Sequence, residues 1–200
     1  MNTNAKVTGK SRREIRHAKQ QRQQLLWRAI WGLGGVAVLA IIGYFAWDVL
    51  RPKPGQSVLQ QARTHIELGD QHEPYNSDPP TSGAHASPVR EGFYGEPLPD
   101  ESLVHNLEHG YVVIWYNCAG LGGDECQNLK TQIRSVIDRA EPVVLGGTGK
   151  KLIAMPRLTL DTPIALTSWG RLYKLDSFNE EKITTFIKEF RNQAPEPNAP

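Results

Sequence analysis

In the stretch DESLVHNLEHGYVVIWYNC, residues 100–118, His105, Glu108 and His109 fall within five positions. On a helix, residues four and three apart are separated by about 40° and 60° around the axis, so these three side chains share one face. Two imidazoles so placed can grip one transition-metal ion, because neutral imidazole nitrogen suits zinc, copper and nickel. A pair fills only two of the usual four positions, so partners must come from elsewhere in the chain. His65, His72 and His85 are the candidates, whereas His17 precedes a long apolar segment. Five of the six histidines lie within residues 65–109, a confinement that a shared site would produce. Histidines that serve only as capping and hydrogen-bonding groups in a structural or interaction domain are the competing explanation.

His-x-x-Glu-His is also the spacing of the inverted zinc-protease motif, where the glutamate is general base to a zinc-bound water. A metal-dependent hydrolase of that kind needs another carboxylate ligand, for which Glu180, Glu181 or Glu189 can be proposed. It also needs a long helix, whereas here Gly110 follows at once and an apolar strand begins. Binding is therefore favoured over catalysis. A second feature is DPPTSGAH, residues 78–85. Consecutive prolines hold the chain extended, Thr81-Ser82-Gly83 can turn back on itself, and His85 is presented from a stiff loop that binds a ligand or metal or simply caps a sheet edge. Ser82 lacks the G-x-S-x-G setting of a nucleophile. GGTGKK, residues 146–151, fails as a phosphate loop because Val144 stands where the first glycine is required and Lys151 follows the lysine.

The elements that must position these residues follow from periodicity. Asp100 is a plausible N-cap for a short helix over 101–109, with Gly110 in the left-handed position that ends it. Residues 111–116, YVVIWY, predict a central strand. Leu129, Ile133, Val136, Ile137 and Ala140 predict an amphipathic helix over 125–140. Residues 142–145, 151–155 and 164–169 read as short strands, the first two joined by the turn GGTG, and Trp169-Gly170-Arg171 as a turn with a packed aromatic. Ile183, Phe186, Ile187 and Phe190 mark a last helix. Residues 58–68 fit a helix or a strand near 64–68, and 69–99 are rich in Pro, Gly, Ser, Asp and Asn. An irregular loop of that length inside a domain implies a functional one. The class is mixed α/β, and a thioredoxin-like arrangement accommodates the strand, helix, strand, strand, helix order of 111–190.

Charge and hydropathy divide the chain. The net charge of +2 is the balance of +7 over residues 1–28 and −5 beyond them, which leaves the body without a basic face for nucleic acid. Residues 29–47 carry no charge, about the length that crosses a hydrocarbon core. The expected organisation is a basic cytoplasmic segment 1–28, a transmembrane helix 29–50 in the bilayer, a linker 51–57, one extracytoplasmic α/β domain 58–192 and a flexible proline-rich tail 193–200. Lys and Arg before the span place the N-terminus inside the cell. A cleaved signal peptide is disfavoured because the apolar run exceeds the usual length and FAWDVL offers no small-x-small site. Cys118 and Cys126 bracket a short glycine-containing loop in a compartment that should be oxidising, so a disulfide is expected.

Taken together, PPTSGAH, VHNLEHGYVVIWY, the tryptophan of SWGR and the APE of the tail resemble a family of mostly bacterial, membrane-anchored proteins known as a domain of unknown function. The resemblance covers about residues 60–196. It implies a histidine about twenty positions before the PPTSG-x-H histidine, which favours His65 over His72, while Cys118 and Cys126 stand outside the shared pattern. The expected site is thus a transition-metal centre, for zinc or copper, built from His65, His85, His105 and His109 with Glu108 as a ligand or supporting group. The two methionines lie away from these histidines, so a thioether-rich Cu(I) site is not indicated.

Overall fold

The computed structural model describes residues 12–144 and 147–199. The first eleven residues of the basic segment, Leu145 of the expected strand 142–145, Gly146 of the GGTG turn and Pro200 lie outside the described residues. The chain divides into two units, Met1–Pro52 and Lys53–Pro200.

The first unit is one helix, α1 (Arg12–Leu50), whose portion Lys19–Leu50 is long and apolar enough to cross a membrane. It starts well before the predicted residue 29, because the Arg, Lys, Gln, Leu and Ala of residues 12–26 are good helix formers in their own right. Pro52 lies just past its end, where a missing N–H does no harm.

The second unit carries a six-stranded mixed sheet. Its strands are β1 (Gln56–Ser57), β2 (Gly92–Phe93), β3 (Val112–Tyr116), β4 (Leu152–Pro156), β5 (Ile164–Ser168) and β6 (Arg171–Leu175), in spatial order β1-β6-β5-β3-β4-β2. β4 runs parallel to both β3 and β2, whereas β5 is antiparallel to β3 and β6 antiparallel to β5. The parallel pair β3 and β4 requires a crossover, supplied by helix α3 (Gly123–Arg139). Every residue of β3 is buried, as its unbroken β-branched and aromatic run demands of a strand covered on both faces.

Alternation along the strands sorts the core into two layers. Val112, Ile114 and Tyr116 face α3 and the last helix, α4 (Glu180–Phe190), packing with Ile133, Val136, Ile183 and Phe186. Val113, Trp115, Ile153, Met155 and Ala165 face the opposite way, onto Leu103, Val104 and Leu107 of helix α2 (Asp100–Glu108). The helix that carries His105 therefore packs against the sheet face opposite α3 and α4. Cys118 and Cys126, bonded to each other, sit at the α3 side.

Two expectations are corrected. Residues 142–144 are not a strand: Val143 and Val144 bend, turned by bonds from the Val143 N–H to Gly149 O (2.9 Å) and from the Gly147 N–H to Val144 O (2.9 Å). Sequence patterning also passed over the two-residue strands β1 and β2 and the longer β6, whose short mixed stretch RLYKL pairs with β5 across the tight turn at Gly170, where φ is +68°. Asp100 is the first helical residue instead of the N-cap. Its carboxylate receives two parallel N–H bonds from Arg157 (2.7 and 3.0 Å), a charge-assisted fork that is stronger than a neutral cap.

Candidate metal centre

The loop between β1 and α2 lies over the α2 face of the sheet and brings two histidines together. Residues 64–66 run beside His85 as a short parallel bridge, with the His85 N–H donating to Thr64 O (2.9 Å) and the Ile66 N–H to His85 O (3.0 Å). The loop is stiffened at each step of PPTSGAH. The Gln61 N–H donates to Ser82 Oγ (3.0 Å), the Gly170 N–H to Thr81 O (3.0 Å) and the Tyr75 hydroxyl to Ala84 O (2.6 Å). That hydroxyl is held well above its ordinary pKa, chiefly by burial, so it stays a donor. Gly83 has φ +131°, and a Cβ there would stand 2.9 Å from the Tyr75 ring, so the turn admits only glycine without movement. Ser82 is thereby a scaffold residue.

Helix α2 brings the other side of the site. Asn106 locks it to the loop, its amide donating to Val89 O (2.8 Å) while its carbonyl accepts from the Val89 N–H (3.0 Å). Arg157 also binds Asp78 (2.6 Å), fastening the head of the PPTSG loop to the same helix start. Beyond Glu108, Gly110 takes φ +84° and releases the chain into β3, so the helix is a little over two turns long.

Between loop and helix the imidazoles converge. His65 Nε2 and His85 Nε2 are 3.3 Å apart, and His105 Nε2 and His109 Nε2 are 3.1 Å apart. The His65 and His105 ring centroids are separated by 5.1 Å and those of His85 and His105 by 4.9 Å. Two sets of ligand atoms lie within 4.8 Å of one another: His65 with His85 and His105, and His105 with Glu108 and His109. At zinc–nitrogen bonds of about 2.0–2.1 Å, a tetrahedron has edges of about 3.3 Å, so these nitrogen pairs already stand at coordination spacing.

Protonation can be read from the carbonyls around the rings. His85 Nδ1 lies 2.8 Å from Gly83 O, and His105 Nδ1 lies 2.7 Å from Ala86 O. A carbonyl only accepts, so each Nδ1 carries a proton, and the neutral form of either ring then offers its lone pair at Nε2. Burial pushes the pKa of His105 below its usual value, keeping it in the neutral, ligating form against the contrary pull of the Ala86 carbonyl. Glu108, 1% exposed, accepts from Arg63 (3.3 Å) through Oε1. Its Oε2 stands 3.0 Å from His85 Nε2 yet takes no hydrogen bond from any described residue. Acceptors thus face acceptors in the interior of the domain. That arrangement is costly unless a cation sits among them.

The remaining sequence candidates are placed elsewhere. His72 stacks near Tyr75, its Nδ1 donating to Glu73 O (2.7 Å) and its Nε2 3.4 Å from Glu101. Glu180, Glu181 and Glu189 lie on α4, across the sheet, with Glu180 paired to Arg139 (2.9 Å) and Glu189 to Lys53 (3.0 Å), so the carboxylate ligand sought there does not come from that helix. Sequence reasoning missed Arg63, which lies within the helix-or-strand ambiguity of residues 58–68, and Glu196, whose only signal was the APE of the tail. Residues 193–199 return across the end of α2. There the Glu196 N–H donates to Glu108 O (3.0 Å), and its carboxylate lies 3.7 Å from Arg63 and 3.9 Å from His109 Nε2.

A family model described as a protein of unknown function (DUF3105) matches residues 67–200, about two thirds of the chain, and so takes in His85, His105, Glu108, His109 and Glu196 while beginning just past His65. No curated protein and no solved structure matches the chain.

Proposed function

We propose that this chain, which belongs to that family of unknown function, binds one divalent transition-metal ion, zinc or copper, through His65, His85, His105 and His109, with Glu108 as a ligand or as the carboxylate that orients one. The observation that carries the proposal is the convergence of metal-ligating atoms: Nε2 of His85, Nε2 of His105 and Oε2 of the buried Glu108, which takes no hydrogen bond from a described residue. His85 and His105 each donate the other ring N–H to a backbone carbonyl, the arrangement that fixes tautomer and orientation at metal-bound histidines. The rival structural domain has in its favour that the 3.1 and 3.3 Å nitrogen pairs also suit N–H···N bonds from His109 and His65. It leaves Glu108 Oε2 unexplained. For a hydrolase, Glu108 is poorly placed as a free base, being enclosed between His85 and Arg63.

The membrane helix acts as an uncleaved anchor with the N-terminus cytoplasmic and the sheet domain outside. The +7 leader before the span and the Cys118–Cys126 disulfide beyond it support this topology. The spatial order β6-β5-β3-β4, with β5 alone running against the other three strands, supports a thioredoxin-like reading of the core.

The test is metal analysis of the full chain purified in detergent after exposure to Zn²⁺ or Cu²⁺. About one ion per chain is expected, retained in His72→Ala and lost in the His105→Ala/His109→Ala double variant. Equal metal content in the double variant and the wild type would reject the site. For the anchor, a mature N-terminus found beyond residue 47 in the membrane fraction would overturn the proposed topology.

A further inference from the structure

The C-terminal strap is held at the site by more than its own backbone. Lys151 projects from the start of β4 with φ +50°, and its ammonium lies within hydrogen-bond distance of four oxygens: His109 O (2.9 Å), Asn192 Oδ1 (3.2 Å), Pro197 O (2.9 Å) and Ala199 O (2.9 Å). One of these belongs to the histidine cluster's own backbone and the other three to the returning chain. The Asn192 N–H donates to Gly110 O (2.8 Å), and a Cβ at Gly110 would stand 2.8 Å from Asn192 Cα, so the strap crosses the end of α2 in close backbone contact. Pro195 and Pro197 flank Glu196 and restrict the backbone on both sides of it. The consequence is a carboxylate, half-exposed, presented over His109 and Arg63 from the solvent side, while Glu108 presents one from the interior.

We propose that Glu196 is a further carboxylate ligand of the bound ion, delivered by the strap and positioned by Lys151, so that the ion exchanges with solution only when the strap releases it. This rests on the metal reading above. The triad His105, Glu108 and His109 offers three ligand atoms within 4.8 Å of one another, and Glu196 stands beside the His109 member of that triad. Glu196 is the nearest additional carboxylate to His109 Nε2 among the described ion pairs, and a shift of under an ångström brings its 3.9 Å separation to coordination spacing of about 3.3 Å. Arg63, 3.7 Å from Glu196 and 3.3 Å from Glu108, neutralises the pair of carboxylates that would otherwise repel when no ion lies between them.

The experiment loads the full chain in detergent with Co²⁺, whose visible absorption reports its ligand set, and follows loss of that absorption to excess chelator. Glu196→Gln is expected to keep one ion per chain, to change the absorption envelope, and to lose the ion about 10- to 100-fold faster. Lys151→Met is expected to speed the loss in the same direction, and the double variant to be no faster than the faster single one, since both act through one strap. An unchanged spectrum and loss rate in Glu196→Gln would overturn the proposal. So would a fall in its thermal midpoint in EDTA that matches the fall with Co²⁺ present, because a merely structural strap predicts that equality. If the wild-type chain takes up no Co²⁺, the metal reading fails first, and the outcome is distinct from a normal wild type with an insensitive Glu196 variant.

Discussion

Replacing Glu108 by glutamine should stabilise the metal-free protein and lose or reverse that gain in the metal-loaded one. Without an ion, Glu108 Oε2 is a buried acceptor facing the lone pair of His85 Nε2 at 3.0 Å. Leaving such a group unsatisfied costs about 1–3 kcal/mol. The amide of glutamine keeps the shape and brings a donor to the same position, so the lone pair of His85 gains a partner. Against this stands the Arg63 contact to Oε1, which at 3.3 Å and with a half-exposed guanidinium is worth about 1 kcal/mol at most. The net expectation for Glu108→Gln in EDTA is a gain of about 1–2 kcal/mol. For a domain of this size that raises the thermal midpoint by about 2–8 °C.

With zinc bound, the same substitution removes a charged group from the ion's surroundings. A loss of about 10- to 100-fold in affinity corresponds to about 1.4–2.7 kcal/mol, which offsets the metal-free gain, so the advantage of the variant in EDTA should vanish or reverse once zinc is bound. Thermal denaturation of the domain from residue 53 onward, followed by circular dichroism in EDTA and in saturating Zn²⁺, gives both shifts in one experiment. The reasoning is refuted if Glu108→Gln lowers the midpoint in EDTA. That outcome would mean the carboxylate is satisfied by His85 and Arg63 alone and that the cluster is a structural ion-pair network.

Three other outcomes follow from the same geometry. Gly83→Ala should destabilise the domain by about 1–3 kcal/mol and weaken zinc retention, because the new Cβ meets the Tyr75 ring at 2.9 Å and displaces the carbonyl that orients His85; unchanged zinc titration would disconnect the turn from the site. Cys118→Ser/Cys126→Ser should cost about 2–3 kcal/mol of stability through the freed unfolded chain while leaving metal content unchanged, since the bridge lies on the α3 side of the sheet; metal loss in the folded variant would contradict that separation. Asp161, bonded to Lys174 at 2.7 and 2.8 Å, has its pKa lowered from 3.8 by that contact, so the pair's stabilisation is present above that value and fades as pH falls through the depressed one; carboxyl NMR should show Asp161 returning to the ordinary range in Lys174→Met, and an unmoved titration would dismiss the pair.

The parts of the fold legible in the sequence are those that one periodicity dictates. The run YVVIWY could only be a strand buried on both faces, and the spacing of Leu129, Ile133, Val136 and Ile137 could only be a helix with one apolar stripe, and both are found. Elements fixed by distant partners were not legible. β1 and β2 are two residues each and owe their existence to β6 and β4, and the short stretch RLYKL becomes a strand because β5 offers it an edge. Asp100 is the clearest local failure. Its residue type signals an N-cap, but an arginine 57 positions later outcompetes the backbone amide for its carboxylate.

The site divides in the same way, and the division bears on what the cluster is for. His105, Glu108 and His109 share a helical face that spacing alone reveals, whereas their company with His65 and His85 depends on a loop whose hydrogen bonds reach to Gln61, Tyr75 and Gly170. A histidine that serves only to cap its own turn needs no such scaffold. Here a glycine confined by a tyrosine ring, an arginine forked onto two aspartates and an asparagine bonded twice to the loop all act to hold two rings against two others. Folding free energy is spent on a geometry that, without an ion, leaves a buried carboxylate oxygen without a donor. Binding an ion there converts that cost into affinity, and metal-dependent stabilisation of the folded domain is its direct measure.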